Sequence, residues 1–344
     1  MTSFLNILSP GMFTTVQDLG RFGHQDLGVP VAGALDPISL RLANALVGNP
    51  ENTGALEIRI MGPSLQIEAD AVRVALCGTD AEIEVSGTPP RRVPSGQSIR
   101  LRRGDVVQIS AIPDTSCCYL AVEGGFDLPA PFASQSTYVR GGFGGYLGRA
   151  LQKGDQLPLT EDSVSAHPEM RLNEFPVIDS PGAIRVVLGP QDNYFTDAGL
   201  HTFLESEFTI TQDADRMGLR LDGPTLEHSI GFNISSDGIA TGSIQVPGTG
   251  KPIVLLADHQ TTGGYPKIAT VISADLPRLG RMRPGRKLRF EAVSVADAEQ
   301  VRRDQEATIL QSADTIGPVD ETREPENDKL LATNLISGVF YPTE

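Results

Sequence analysis

Ile253-Val254-Leu255-Leu256 and Ile268-Ala269-Thr270-Val271-Ile272 are two short apolar runs. Between them lies Asp258-His259-Gln260-Thr261-Thr262-Gly263-Gly264-Tyr265-Pro266-Lys267. Runs of this length, split by a polar, glycine-bearing turn, predict two buried strands and a loop that presents side chains. Gly263 and Gly264 permit close backbone approach, Pro266 stiffens the exit, and Lys267 offers a cation at the strand mouth. A plain hairpin turn would show much the same composition, because turns collect Gly, Thr and Pro.

The β pattern extends outward from this stretch. Ala81-Glu82-Ile83-Glu84-Val85 and Ile99-Arg100-Leu101 alternate as half-buried strands do. Val106-Val107-Gln108-Ile109 and Cys118-Tyr119-Leu120-Ala121-Val122 are more fully apolar, and Gly-rich turns separate the runs. In the second half, Ala183-Ile184-Arg185-Val186-Val187-Leu188 opens a further series that continues to Val293. Helices are few. Asp36 is a good N-cap before Pro37, with Ile38, Leu42 and Leu46 at four-residue spacing and Gly48 as the stop. Phe195 to Glu205 reads as a short helix, and Ser294 with Asp297 forms a capping box for one running to about Leu310.

Two faint echoes link the halves. Met61-Gly62-Pro63-Ser64-Leu65 resembles Asp222-Gly223-Pro224-Thr225-Leu226, and Arg103-Gly104-Asp105-Val106-Val107 resembles Pro284-Gly285-Arg286-Lys287-Leu288. These suggest two related β domains, duplicated and diverged. The expected division is a β domain over 1–160, a linker over 161–182, and a second β domain over 183–312. The residues 313–344, with seven acidic and two basic side chains, read as an acidic, partly disordered tail.

Composition narrows the function. At 344 residues the chain can hold two cores, and 40% hydrophobic with 21% charged residues is a globular balance. A net charge of −15 argues against non-specific nucleic-acid binding. Three cysteines with no CxxC pair fit a reducing, cytoplasmic setting. No signal peptide and no membrane span is expected.

Several familiar motifs are absent. Gly250-Lys251 is no P-loop, because Gln245 stands where the earlier glycine belongs and Pro252 where Ser or Thr belongs. Leu147 spoils a dinucleotide fingerprint in the 141–148 glycines, and no GxSxG elbow exists. The five histidines are scattered without HxH or HxxxH pairs, so no metal site is expected. Any ATP or carboxyl carrier requires help from another chain.

The candidate site is therefore a set of polar loops. Gln17, Asp18 and Arg21 form one cluster, Asp215-Arg216 a second, and Ser235-Ser236-Asp237-Gly238 a third. Gln245 and the 258–267 loop complete it. Asp258, Asp237 and Lys267 are the catalytic candidates. Gln17, Asp18, Arg21, Arg216, Ser236, Gln245, Gln260, Thr261, Gly263, Gly264 and Tyr265 are the substrate-binding candidates. Arg and Lys suit anionic groups, and Asp can orient or deprotonate a water or an amide. Asp215-Arg216 could equally be a surface ion pair, and Ser235–Gly238 a hydrogen-bonded turn. His259 is not expected to be the general base.

Taken together these motifs resemble one family. Thr14-Thr15-Val16-Gln17-Asp18-Leu19-Gly20-Arg21, Gly28-Val29-Pro30-Val31-Ala32-Gly33-Ala34-Leu35-Asp36-Pro37 and Leu42-Ala43-Asn44 look like the start of the KipA family. Ser236-Asp237-Gly238-Ile239, Gly242-Ser243-Ile244-Gln245-Val246-Pro247 and Gln260-Thr261-Thr262-Gly263-Gly264-Tyr265-Pro266-Lys267 look like its second half. This is also the biotin-dependent carboxyltransferase family, which includes the C component of 5-oxoprolinase. The matches run from about residue 5 to 293. His259 departs from the family pattern, which favours Arg or Gln there.

The resemblance implies a mainly β protein of two tandem cyclophilin-like β-barrel domains with a few short helices. It implies two partners, the KipI-like B component and the LamB/YcsF-like A component of 5-oxoprolinase. The implied activity is ATP-driven hydrolysis of the lactam of 5-oxo-L-proline, a small amide, to L-glutamate. Two alternatives share the superfamily. One is a carboxyltransferase component moving carboxyl to urea from biotin carried on another chain. The other is a KipA-like regulator that binds a KipI-like kinase inhibitor.

Overall fold

The computed structural model describes residues 3–87 and 89–319. The molecule is mainly β, as expected. Strands of the first half form two antiparallel sheets. One runs in the order Gln156–Pro158, Phe4–Ser9, Ser64–Glu68, Val106–Ile109, Glu82–Val85, Arg91–Pro94. The other runs Phe13–Gln17, Ala55–Arg59, Cys117–Val122, Ala71–Cys77, Ser98–Arg102. Leu5, Ile7, Leu56, Ile58, Ile67, Val74, Leu76, Ile83, Val107, Cys118 and Leu120 form a core between them.

The five-stranded sheet is covered on its other face as well. Ala75, Cys77, Cys117, Tyr119 and Ala121 join a second core with helix α1 (Pro37–Leu46) and apolar residues of the second half. Successive strand residues point to opposite faces. Tyr119 therefore faces one core and Leu120 the other, which is why Cys117–Val122 reads as a continuous apolar run.

Second-half strands form one eight-stranded sheet: Lys287–Leu288, Phe208–Ile210, Gly218–Asp222, Ile253–Leu255, Ser243–Gln245, Lys267–Val271, Ile184–Leu188, Phe290–Ala292. The opening stretch is thus two strands separated by the Ser243–Gln245 strand, which pairs with both. It is not a simple hairpin.

Local signals explain the helices. Asp36 Oδ1 accepts from the backbone N–H of Ile38 and Ser39, each at 3.1 Å, a cap worth about 1 kcal/mol. Helix α2 spans Asp197–Glu205, capped by Thr196. A short α3, Leu276–Arg281, has no clear sequence signal. Helix α4 begins at Val295 with Ser294 Oγ bonded to Asp297, but runs to Asp314, one turn further than expected.

The span expected to be a linker holds a short strand, Met170–Arg171, paired with Gly317–Pro318. Glu169 accepts from Ser98 Oγ at 2.9 Å and from Arg100 N at 2.9 Å, tying this span to the first half. Most of the expected acidic tail, from residue 320, lies outside the described residues. Among the described residues no helix is long and apolar enough to cross a membrane.

Candidate functional site

Five residues line up across the eight-stranded sheet. Thr211 N–H bonds the carbonyl of Arg220, Arg220 is opposite Ile253, Ile253 is opposite Gln245, and Gln245 is opposite Lys267. Residues directly opposite one another share a face. Their chain neighbours Ile210, Leu219, Val254, Ile244 and Ile268 point the other way, into the core. The row therefore lies on the outer face. A groove of about 700 Å³ runs over it, lined by Thr211, Arg220, Ile253 and Gln245, with Gln260 and Tyr265 among its walls. Arg140 arrives from the first half's glycine loop and stands 3.8 Å from Asp215.

Next to the Lys267 end of the row, Gln245 is 2% exposed. Its Oε1 accepts from Gln260 Nε2 at 3.3 Å, while its own Nε2 has no partner. A buried donor without a partner is costly, typically by about 1–3 kcal/mol, so it calls for an occupant. Gly263 makes room for this amide, since a Cβ there would stand 2.5 Å from Gln245 Nε2.

Beside Gln245, Lys267 is buried and donates to Asp237 Oδ2 at 2.6 Å and to the Gly238 carbonyl at 2.9 Å. Hydrogen bonding and charge from Lys267 hold the Asp237 carboxyl below its usual range. Asp237–Gly238 pairs with Thr262–Gly263, and Gln191 bonds both Asp237 and the Lys267 backbone. Thr261 and Gly264 contribute backbone carbonyls that fasten Ile239 and Ile234 across the loops. Ser236 is exposed on the same segment.

His259 is fully buried, with Nδ1 2.6 Å from the Gln260 carbonyl and Nε2 3.1 Å from Thr241 Oγ1. A carbonyl only accepts, so Nδ1 carries the proton and Nε2 accepts from Thr241. Burial pushes the imidazole below its ordinary pKa, keeping it neutral. His259 thus holds Gln260, which in turn holds Gln245.

The structure places Asp258 and Arg216 elsewhere, in a buried joint between the halves. Arg216 Nε and Nη2 reach the two Asp258 oxygens at 2.9 Å each. Its Nη1 reaches Glu57 at 2.6 Å and Nη2 the Gly33 carbonyl at 2.6 Å. Glu57 also accepts from Tyr119 Oη at 2.6 Å and Leu35 N at 3.0 Å. Burial pushes Glu57 up, but Arg216 and these hydrogen bonds prevail and leave its pKa lowered. With its donors committed, Arg216 is not oriented toward a ligand, and Asp258 is engaged on both oxygens.

Gln17, Asp18 and Arg21 brace the loop that carries Arg140. Asp18 accepts from Ser134 Oγ, Ser136 Oγ and Gln135 N at 2.5–2.7 Å. Gln17 Nε2 reaches the Thr137 carbonyl at 3.2 Å. Arg21 bonds the Ser136 carbonyl and sits 5.0 Å from the Phe143 ring centroid. Burial lowers the Arg21 pKa from its ordinary value.

Thr211, Arg220 and Arg140 were not singled out from the sequence. Alternation in Gly218-Leu219-Arg220-Leu221 is enough to turn Arg220 outward; no sequence signal says that the outward face is a groove.

The nearly closed β-sheet is shared with known proteins. The chain belongs to the carboxyltransferase domain family, subdomains A and B, whose model matches residues 27–292. Within that family it is 38% identical over 307 residues to the C component of 5-oxoprolinase from Haemophilus influenzae, covering 89% of this chain and 97% of that protein. It is 36% identical over 309 residues to the protein of the same name from Escherichia coli, covering 90% of this chain and 97% of that one. The crystal structure of Kluyveromyces lactis urea carboxylase superposes with a TM-score of 0.81 at 28% identity, covering 94% of this chain and 30% of that chain.

Proposed function

We propose that this chain is the C component of an ATP-dependent 5-oxoprolinase that opens the lactam of 5-oxo-L-proline to L-glutamate. The observation that carries the reading is the buried, unpartnered Nε2 of Gln245 beside the groove. A lactam oxygen placed there would accept from it and be stabilised as charge builds on that oxygen during attack by water. Asp237, held ionised by Lys267, would take the proton of the attacking water and return it to the ring nitrogen as the C–N bond breaks, leaving the free amine and the new carboxylate. Near-complete alignment with two proteins of that name supports the reading.

The residues of this chain do not suit a phosphate cradle of the P-loop kind. Lys251 is bonded to Asp222 at 3.0 Å and to the Gly223 carbonyl. ATP would be used by the complex that this chain forms with a KipI-like B component and a LamB/YcsF-like A component. The protein would act in the cytoplasm as part of that hetero-oligomer.

Carboxyl transfer from biotin borne on another chain is the second reading. It is favoured by the likeness to urea carboxylase, and it too would use an oxyanion donor on a planar amide-like carbonyl. Co-expression with candidate A and B components, then assay of ATP-dependent glutamate release from 5-oxoproline, separates the two. Absence of release from an assembled complex would end the first reading. Release without ATP would overturn the energy coupling.

A further inference from the structure

The far end of the row carries a second unpartnered group. Thr211 Oγ1 is buried with no hydrogen-bond partner, and Thr211 lies directly opposite Arg220 on the neighbouring strand. Both line the groove. Lys251 and Arg140, the other cations there, stand 3.0 Å from Asp222 and 3.8 Å from Asp215. The Arg220 guanidinium makes no hydrogen bond or ion pair among the described residues. Asp213, also on the groove, sits on the turn beyond Thr211 and is off the row.

Along the groove, the row runs Thr211 and Arg220, then Ile253, then Gln245, with Lys267 beyond Gln245 and engaged by Asp237. That is a hydroxyl and a cation, an apolar side chain, and a sheltered amide donor. The Arg220 and Gln245 backbones are two strand spacings apart, roughly 10 Å. That span matches a small molecule lying across Ile253 between the two side chains. We propose that Thr211 and Arg220 form a carboxylate anchor, so that the groove selects cyclic amides bearing a carboxylate over neutral ones. The carboxylate takes N–H bonds from Arg220 and the O–H of Thr211, the ring methylenes rest on Ile253, and the amide oxygen meets Gln245. Binding both ends fixes which face of the amide is offered to water. The orphan hydroxyl is the second observation that makes this more than an exposed arginine. This inference rests on the lactam reading and names the substrate feature that the groove recognises.

The test compares 5-oxoproline with 2-pyrrolidinone, the same ring without the carboxylate, in the assembled complex with ATP. Arg220→Ala should raise KM for 5-oxoproline about 10-fold to 100-fold with kcat nearly kept, as expected for losing a charge-assisted bond made equally in ground and transition states. The loss on 2-pyrrolidinone should be several-fold smaller. Arg220→Lys should restore part of the KM, and Thr211→Val should raise it more modestly. Equal losses on both substrates, or an unchanged KM for 5-oxoproline, would overturn the anchor. Turnover by the wild-type complex judges the reaction itself. Saturation-transfer NMR of 5-oxoproline on the complex without ATP judges the anchor separately. Signal lost in Arg220→Ala supports it, and equal signal in both proteins removes it.

Discussion

Replacing Gln245 with alanine removes a buried donor while leaving the backbone pairing of its strand intact. If the lactam oxygen meets Gln245 Nε2, kcat should fall about 100-fold to 1000-fold, the usual loss for one oxyanion donor, with a small change in KM. Steady-state kinetics on the complex checks this. His259 predicts a pH effect on stability. Its folded pKa lies below the ordinary 6.5, so under about pH 6.5 the unfolded chain takes up a proton that the folded chain refuses. Stability is therefore full above that pH and declines as the pH falls toward the lower folded value. His259→Gln removes the term. Wild type should lose more Tm than the variant between about pH 7.5 and about pH 5.5, measured by calorimetry. The sequence made Gln245, Gln260 and Lys267 visible because they sit in polar runs bounded by apolar strands. It could not distinguish Asp258 from them, since a carboxylate bonded to a buried arginine 42 residues away looks the same in one dimension as a free one.

At the level of strands and loops, the Thr262–Gly263 segment sets how near the backbone comes to the groove. Gly263→Ala has no positive-φ penalty, but its Cβ would press on the Gln245 amide and on Ile239. Stability should change by less than about 1 kcal/mol because a side-chain end can yield, while kcat should drop as the donor is displaced. Denaturant melts run beside kinetics separate the two effects. Of the two sequence echoes, the structure supports one. Gly104 N bonds the Ile67 carbonyl and Ile67 N the Asp105 carbonyl; in the second half Gly285 N bonds Ile210 and Ile210 N bonds Arg286 in the same way. The 61–65 and 222–226 segments have no such correspondence, for Leu65 lies in a strand opposite Val107 while Leu226 bonds Gly250. A GP dipeptide is a turn habit that recurs without descent, whereas a paired glycine turn is tied to a specific strand contact.

Across the whole molecule, the halves are joined by charge as well as by apolar contact. Asp258→Ala leaves Arg216 buried with one carboxylate instead of two, and should cost about 3–5 kcal/mol, measured by urea unfolding. The second core is made jointly by α1, one face of the five-stranded sheet and the second half. Periodicity could show that Cys117–Val122 was buried, yet not that two separate cores bury it, because a run apolar on both faces has no phase.

The adjacent pair Cys117 and Cys118 turns that arrangement into a built-in clock. Cys77 and Cys117 face the core shared by the halves, and Cys118 faces the core inside the first half. All three are buried, and the thiols of Cys77 and Cys117 are pushed up to about 12 by burial, so none reacts while the molecule is closed. Alkylation followed by peptide mass spectrometry then reports the order of opening. If the halves part before either unfolds, Cys77 and Cys117 label ahead of Cys118; simultaneous labelling would mean that the molecule melts as one unit.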